Sequence, residues 1–266
     1  MKLKTSKFLF VLLSVTIFFS SCSNQTLTGF VPLSFDKTLG LEASKTISYQ
    51  FRGAKSLDKK KYKTAYTRLN HILTEILESG KVKHSNAFTW ELTIMHDEKT
   101  LNAFCLPGGK IYVFTGLIKY LDSEDALAGV LAHEIAHADC RHGTAQIIKN
   151  AGLSLLITFI FGVDDGGLVN LGANLLSLGF SRADEAEADK KSVEYLYPTT
   201  YDARGAARFF EKLKTDNKDP EVLAFLSTHP DTEERINEII KHWEKLGSKQ
   251  GKTFTDEYKK LKKALP

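Results

Sequence analysis

Apolar positions repeat with helical spacing over most of this chain. Two such stretches, 41–52 and 61–78, predict an early shell of helices. A third begins at Ser123, which predicts an N-cap, and carries one apolar stripe: Leu127, Val130, Leu131, Ile135 and Ala138. Its neighbours are predicted to be helices near 144–161, 168–179, 181–197, 202–214, 220–227 and 231–246.

A short β region is predicted between the early helices and the helix that begins at Ser123. Trp90, Leu92 and Ile94 alternate with polar side chains, which indicates a half-buried strand. Two more strands, at 101–106 and 110–115, flank a Pro-Gly-Gly turn. We therefore expect an α+β fold that is mostly helical, with a small sheet next to the long helix.

The first 21 residues resemble a secretory signal peptide. Three lysines precede the uncharged apolar run 8–19, which is too short to span a bilayer as a mature helix. Small residues then lead into Cys22, as in the lipobox of bacterial lipoproteins, so cleavage is expected to leave Cys22 as the lipidated first residue. The residue that follows is Ser23 and not Asp, which favours outer-membrane anchoring facing the periplasm. The alternative is an ordinary signal peptide with an incidental cysteine.

Charge gives little sign of a nucleic-acid partner. The formal net charge is +4, and removal of the signal with its three lysines leaves about +1. Lysines cluster at 59–61 and in the tail 247–266, but no aromatic residues are interleaved with them as a nucleic-acid surface requires. These clusters are interpreted as solvated faces, with contact to anionic lipid as the alternative. Residues 22–40, rich in Ser, Thr and Gly, are interpreted as a tether.

Two features leave alternatives open. Cys105 and Cys140 permit a disulfide in an oxidising compartment, although buried free thiols are favoured because sequence spacing does not establish the separation that a bridge needs. The apolar segment 151–180 is interrupted by Asp164-Asp165-Gly166-Gly167. A buried or lid-like helical hairpin is therefore favoured over insertion into a membrane.

The sequence His133-Glu134-Ile135-Ala136-His137 carries the chemistry. Histidines four apart share one face of a helix, so His133 and His137 can both direct a ring nitrogen at one ion. Glu134 projects beside that ion and can act as the general base for peptide hydrolysis. The pattern predicts a zinc-dependent peptidase with one Zn²⁺ per chain.

A catalytic zinc site needs a third protein ligand, and Glu185 is the better candidate. Glu185 and Asp189 lie four apart on one predicted helix, so Asp189 can accept a hydrogen bond from a ligand histidine. The alternative for both is an acidic solvated helix face. His142 is unlikely on spacing to be a ligand and is interpreted as a histidine at a helix end.

Four motifs in order resemble those of the HtpX, BepA and LoiP type of zinc metallopeptidase, relatives of the CAAX prenyl proteases, over residues 40–245. They are the His-Glu-x-x-His helix, the Glu185-x-x-x-Asp189 helix, the segment from Asn102 to Gly116, and Ser227-Thr228-His229-Pro230 leading to Arg235. The resemblance implies a zincin fold of the gluzincin type at 41–246. It also implies His133, His137 and Glu185 as zinc ligands and Glu134 as the base.

The resemblance implies further site residues. His229 is expected close to the metal, either as a reversible fourth ligand or as a stabiliser of the oxyanion. Arg235 is expected to shape the same site, with a surface pairing partner as the alternative. The strand at 110–115 resembles an edge strand that holds extended substrate, an ordinary internal strand being the alternative. The residues expected to bind substrate are Asn102, Gly109, Ile111 and Val113.

Two functions compete on this evidence. The first is an endopeptidase of the bacterial cell envelope that cleaves misfolded or unassembled proteins. The second is a chaperone-like assembly factor that uses the same groove without cutting. The chain is also expected to lack the tetratricopeptide array of BepA-like members and the transmembrane helices of the HtpX type, which leaves the lipid at Cys22 as its membrane attachment. Oligomeric state is not predicted.

Overall fold

The computed structural model describes residues 24–51, 53–151, 179–216, 229 and 232–266. Its helices are α1 Asn24–Gly29, α2 Leu33–Gln50, α3 Lys63–Leu77, α4 Thr115–Tyr120, α5 Glu124–Asp139, α6 His142–Ala151, α7 Arg182–Leu196, α8 Gly205–Thr215, α9 Thr232–Lys245 and α10 Thr255–Lys263. Its strands are β1 Lys55–Ser56, β2 Glu91–His96, β3 Ala103–Leu106 and β4 Lys110–Phe114. The mostly helical α+β class is confirmed.

The four strands form one mixed sheet in the order β1-β2-β4-β3. β2 and β4 run parallel, whereas β3 pairs antiparallel with β4 through a tight hairpin. Gly108 and Gly109 have φ values of 83° and 102°, a left-handed conformation that glycine adopts without the penalty of a Cβ. The sheet thus has β4 in its interior and β3 at an edge.

Helix α5 lies at the centre of the fold, and every one of its residues is buried. It packs against α7, α8 and β3. A Cβ on Gly129 of α5 would lie 2.1 Å from the main-chain nitrogen of Ala206, so the absence of a side chain lets α8 approach closely. The predicted apolar stripe is buried as expected, and the opposite face of α5 is buried as well.

The C-terminal residues complete the start of α5. Ser123 occupies the N-cap position but makes no capping hydrogen bond through its side chain. The main-chain N–H groups of Glu124 and Asp125 instead donate to the carbonyl of Thr253 at 3.0 and 3.3 Å. Tyr258 and Leu261 of α10 are buried. Residues 247–266 are therefore not a detached tail, because their apolar residues share one helical face that packs on the core. Lys259, Lys260 and Lys263 are exposed, as the interpretation of solvated faces expects.

The N-terminal helices also correct a prediction. Residues 22–40 were expected to be a tether, but helix α2 begins at Leu33 and buries Phe35 and Leu39 fully. Asp36 on the same helix is buried and paired with Arg141, at 2.6 Å between Oδ2 and Nη2. Apolar side chains at helical spacing outweigh the Ser, Thr and Gly composition of this segment.

Several predictions fall on other parts of the chain. The leader with Cys22, most of the apolar segment 151–180 and the predicted helix 220–227 lie outside the described residues. Within the described ranges, no helix combines the length and apolarity that a membrane span requires. Cys105 and Cys140 are free thiols, as favoured from the sequence, but both residues are half-buried and not fully buried.

Candidate active site

Helix α5 brings its two histidines to a common point. His133 and His137 are both buried, and their Nε2 atoms lie 3.0 Å apart. Neighbouring turns of a helix place residues four apart on one face, which sets this separation. The ring of Phe180 stacks on His137 with centroids 3.9 Å apart and restrains its orientation.

Helix α7 supplies two carboxylates to the same point. Its start is fixed by a capping box in which Ser181 and Asp184 exchange hydrogen bonds. Glu185 places one carboxylate oxygen 3.4 Å from Nε2 of His133 and the other 3.6 Å from Nε2 of His137. Asp189, one turn later, lies 2.9 Å from the opposite ring nitrogen of His133, Nδ1. The two carboxylates thus contact different nitrogens of one imidazole.

His229 and Arg235, from the C-terminal part of the chain, contact the same cluster. Nδ1 of His229 lies 3.0 Å from Glu185 Oε1, and its Nε2 lies 3.8 Å from Glu134 Oε1. Arg235 is buried, and it reaches Asp189 through Nε at 2.7 Å and Nη2 at 2.8 Å. Its Nη1 lies 2.9 Å from Glu185 Oε2. One guanidinium therefore bridges both carboxylates of α7.

Burial and neighbouring charges shift the pKa values of these groups in opposite directions. Burial alone raises the pKa of Asp189, but the contacts with Arg235 and His133 hold that pKa below its usual value. Burial alone lowers the pKa of His133, but hydrogen bonds to Asp189 and Glu185 raise it to about 9. The chain thus compensates its buried charges in pairs.

Glu134 lies beside the cluster and faces the cleft. Burial raises the pKa of its carboxyl group, opposed by the nearby His229 and His133. The main-chain N–H of Cys105 also faces this carboxylate. Glu134 is therefore a buried carboxyl group whose proton affinity is higher than usual, as a group that accepts a proton near neutral pH requires.

The donor set fits a transition-metal ion. One ligand atom from each of His133, His137, Glu185 and His229 lies within 4.8 Å of all the others, and all four side chains are buried. Ligands at 2.0–2.1 Å in tetrahedral geometry lie roughly 3.3 Å apart, so the separations of 3.0 to 3.6 Å among His133, His137 and Glu185 match such a site. Imidazole with carboxylate is a donor set suited to zinc.

A cleft of about 80 Å³ opens beside Glu134 and His137. One wall is the edge strand β3. Because Phe114 N–H donates to the Asn102 carbonyl at 3.1 Å, residues 102, 104 and 106 exchange hydrogen bonds with β4. The main-chain groups of Ala103 and Cys105 consequently point away from β4, towards the cleft.

Comparison with known families identifies this arrangement. The sequence pattern of peptidase family M48 matches residues 64–243, well over half of the chain and a range that includes every residue of the cluster. The chain belongs to peptidase family M48. Peptidases of this family are metal-dependent, and the buried histidine and glutamate side chains that could hold a metal ion lie inside the matched range.

Relatives of this chain include mitochondrial metalloendopeptidases and a beta-barrel assembly-enhancing protease. The mitochondrial metalloendopeptidase OMA1 of Schizosaccharomyces pombe is 33% identical over 224 residues, covering 82% of this chain and 64% of the relative. OMA1 of Arabidopsis thaliana is 39% identical over 153 residues, covering 57% and 31%. The beta-barrel assembly-enhancing protease of Escherichia coli is 29% identical over 189 residues, covering 62% and 38%. The chain thus spans 31% to 64% of the length of these three relatives.

The M48 peptidase departs from one prediction at its sheet. Strand 110–115 was expected to be an edge strand, but β4 is internal and pairs with both β2 and β3. Ile111 and Val113 are fully buried core residues, and Gly109 forms the hairpin turn. They therefore do not face a substrate. Asn102 does line the cleft, together with the neighbouring edge strand β3.

One contact of the M48 peptidase was missed from the sequence. His142, set aside as a histidine at a helix end, is buried with its Nδ1 2.9 Å from Nδ1 of His137. Arg141, between α5 and α6, has φ 60°, and this sharp corner turns His142 back against His137. A signal was present in the sequence, since His142 follows His137 by five residues, but the corner that brings them together is not visible from spacing.

Proposed function

We propose that this M48 peptidase is a zinc-dependent endopeptidase with one Zn²⁺ per chain, held by His133, His137 and Glu185. The observation that carries the proposal is the convergence of three buried donors from α5 and α7 beside the carboxylate of Glu134. Zinc at this point supplies Lewis-acid polarisation of the peptide carbonyl and a lowered pKa for the attacking water.

Glu134 is proposed as the general base. Its raised pKa suits it to accept a proton from the attacking water and to return that proton to the leaving amine. The Cys105 N–H faces this carboxylate, and both residues line the cleft. A substrate bound in the cleft therefore presents its scissile carbonyl within reach of Glu134.

Asp189 and Arg235 are proposed as positioning residues. The 2.9 Å contact of Asp189 with Nδ1 of His133 fixes which ring nitrogen carries the proton, and so leaves Nε2 as the ligand atom. Arg235 holds both Asp189 and Glu185 and compensates their charge. Neither residue is proposed to touch the substrate.

Two roles are open to His229, and the geometry suits both. A fourth ligand would close the site, because a catalytic zinc site keeps one position for water. A stabiliser of the oxyanion would instead donate from the side of Glu134, where its Nε2 lies 3.8 Å from the carboxylate. The contact of Nδ1 with Glu185 at 3.0 Å favours neither role, since two ligands of one ion and a hydrogen-bonded pair can both have this separation.

Substrate is proposed to bind along β3 and not along β4. An extended segment of polypeptide can pair with the outward main-chain groups of Ala103 and with the carbonyl of Cys105, whose N–H faces Glu134, and thereby extend the sheet. Such pairing recognises backbone without a required side-chain sequence, so it suits unfolded chains. Asn102, at the start of this edge, has a buried side-chain oxygen without a hydrogen-bond partner among the described residues and can accept from the substrate.

The proposed substrates are misfolded or unassembled proteins of the bacterial cell envelope. A signal-like leader and Cys22 support secretion and lipid anchoring, with the outer membrane as the proposed location. The name of the E. coli relative, a beta-barrel assembly-enhancing protease, agrees with this setting, whereas the OMA1 relatives are named as mitochondrial. No nucleic-acid partner is proposed.

Cleavage of unfolded casein tests the enzymatic proposal. The Glu134→Gln variant keeps the shape of the side chain and all proposed zinc ligands but removes the base. We expect it to retain zinc at one equivalent and to lose activity by a factor of about 10² to 10⁴. Casein degradation at the parent rate would contradict the proposal, and rescue of a deletion strain by Glu134→Gln would favour the chaperone-like function.

A further inference from the structure

A second group of potential metal ligands lies immediately behind the active site. Cys140, His142 and Glu187 each offer one ligand atom, and these atoms lie within 4.8 Å of one another. His142 is buried, whereas Cys140 and Glu187 are half-buried, so the group faces solvent on one side. We call Cys140, His142 and Glu187 the outer cluster.

The backbone holds the outer cluster in place from two directions. Cys140 and His142 flank Arg141, whose left-handed conformation makes the corner between α5 and α6. Arg141 is itself fixed by Asp36, which accepts from Nε at 3.1 Å and from Nη2 at 2.6 Å. Glu187 comes from α7, which is anchored by its capping box. The three ligand atoms thus belong to side chains whose backbone is held in place by other contacts.

The chemistry of the outer cluster selects a class of ion. Thiolate, imidazole and carboxylate together suit zinc, cobalt or cadmium, whereas magnesium and calcium prefer oxygen ligands. Nε2 of His142 lies 3.3 Å from Glu187 Oε2, which matches the roughly 3.3 Å between two ligands of one tetrahedral ion. We propose that Cys140, His142 and Glu187 form a second site for a divalent transition-metal ion, distinct from that of His133, His137 and Glu185.

The contact between His137 and His142 couples the two sites, an inference that rests on the proposed role of His137. A neutral His137 that binds zinc through Nε2 carries its proton on Nδ1, and that proton points at Nδ1 of His142, 2.9 Å away. His142 must then accept on Nδ1 and carry its own proton on Nε2, facing Glu187. An ion bound at Nε2 of His142 requires the reverse arrangement.

Occupation of both sites therefore brings two N–H groups face to face at 2.9 Å. Two donors at this distance repel each other and leave both hydrogen bonds unmade. The outer ion thus weakens zinc binding at His137, or forces that imidazole to turn. An excess of zinc is expected to inhibit the peptidase through the outer site.

Cobalt titration tests the outer site independently of peptidase activity. The full chain carrying Cys22→Ser has Cys105 and Cys140 as its two thiols. After removal of metal by a chelator, Co²⁺ is added in steps while the near-ultraviolet thiolate-to-cobalt absorption is followed. We expect this absorption to rise only with the second equivalent, since His133, His137 and Glu185 contain no thiol.

Matched variants separate the thiols and the two proposals. Adding Cys140→Ser should abolish the thiolate absorption and reduce the stoichiometry to one ion, whereas Cys105→Ser should change neither. A second zinc equivalent should lower casein cleavage at least fivefold in the Cys22→Ser chain and leave the Cys140→Ser variant unaffected. Absence of the absorption, or its survival in Cys140→Ser, overturns the outer site while leaving the first site intact. Failure to bind a first ion overturns the proposed function instead.

Discussion

Arg235 shows how single residues organise the proposed metal centre. Its guanidinium contacts Asp189 through two nitrogens and Glu185 through a third, and it stacks on Phe210 with Cζ 4.1 Å from the ring centroid. A lysine carries the same charge but offers one point of attachment in place of a planar fork. The orientation of both carboxylates therefore depends on the shape of arginine as well as on its charge.

Arg235→Lys is expected to weaken zinc binding by about 10-fold to 100-fold, because Asp189 and Glu185 lose their shared anchor. Competition with a fluorescent zinc chelator measures the affinity. Arg182→Lys is the matched control, since Arg182 is exposed in the first turn of α7. Equal affinities for the two variants would show that Arg235 does not orient the ligands.

The residues of the site differ in how well their positions can be predicted from the sequence. His133 and His137 share one helical face and Glu134 is the next residue along, so spacing alone predicts that the three come together. Glu185 requires a choice among many acids, which the resemblance makes. The contact of His142 with His137 depends on the left-handed backbone at Arg141. The φ angle of one residue leaves no periodic pattern in the sequence, so this contact could not be predicted.

Between elements, buried charge pairs fix helices in position. Asp36 of α2 is fully buried and accepts from Arg141, and also from Thr144 Oγ1 at 2.6 Å. These contacts join α2 to the corner between α5 and α6, which carries Cys140 and His142. A pair on the same helix, Glu42 with Lys45, is closer to solvent, since the Lys45 side chain is 60% exposed and that of Glu42 is 17% exposed.

Asp36→Asn is expected to lower the free energy of unfolding by about 3 to 5 kcal/mol, because it leaves the buried Arg141 without a counter-charge. Urea unfolding measures the change. Glu42→Gln removes a charge by the same chemistry on the same helix and is expected to cost under about 1 kcal/mol. Similar losses for both variants would mean that the Asp36 pair does not fasten α2.

Sequence patterns predicted most elements but not the order of the strands. Alternation at Leu92 and Ile94 reports a buried face, and the same signal arises from an edge strand or an internal one. Strands β4 and β2 pair in parallel, and Glu91 lies opposite Lys110, 19 positions later in the chain. Such a pairing cannot be predicted from a turn between neighbouring strands. The edge-strand prediction for 110–115 came from the family resemblance, and the alternation of side chains could not correct it.

At the scale of the whole molecule, the C-terminal segment reaches the start of the central helix α5. Thr253 accepts hydrogen bonds from the first turn of α5, and Tyr201 forms an isolated bridge with Lys252. The lysines of α10 obscured this role in the sequence, because charge dominates the composition while Tyr258 and Leu261 lie three apart on one face. The amino-acid composition of such a helix is dominated by the lysines on its exposed face and does not indicate that its other face is buried.

Deletion of residues 247–266 is expected to lower the midpoint of thermal unfolding by roughly 10 °C. Burial of Tyr258 and Leu261 contributes roughly 4 kcal/mol, and about 1 kcal/mol shifts the midpoint by 2–4 °C in a domain of this size. Differential scanning calorimetry measures the shift. The double variant Lys259→Ala/Lys260→Ala removes charge from the exposed face and should change the midpoint by less than about 2 °C. A deletion that behaves like this control would restore the tail interpretation.

The position of zinc tests the central claim most directly. Crystals grown with one equivalent of zinc per chain can be measured on both sides of the zinc absorption edge. We expect one strong anomalous peak within about 2.0–2.2 Å of His133 Nε2, His137 Nε2 and a carboxylate oxygen of Glu185. Zinc bound elsewhere, with these three side chains free of metal, would contradict the account.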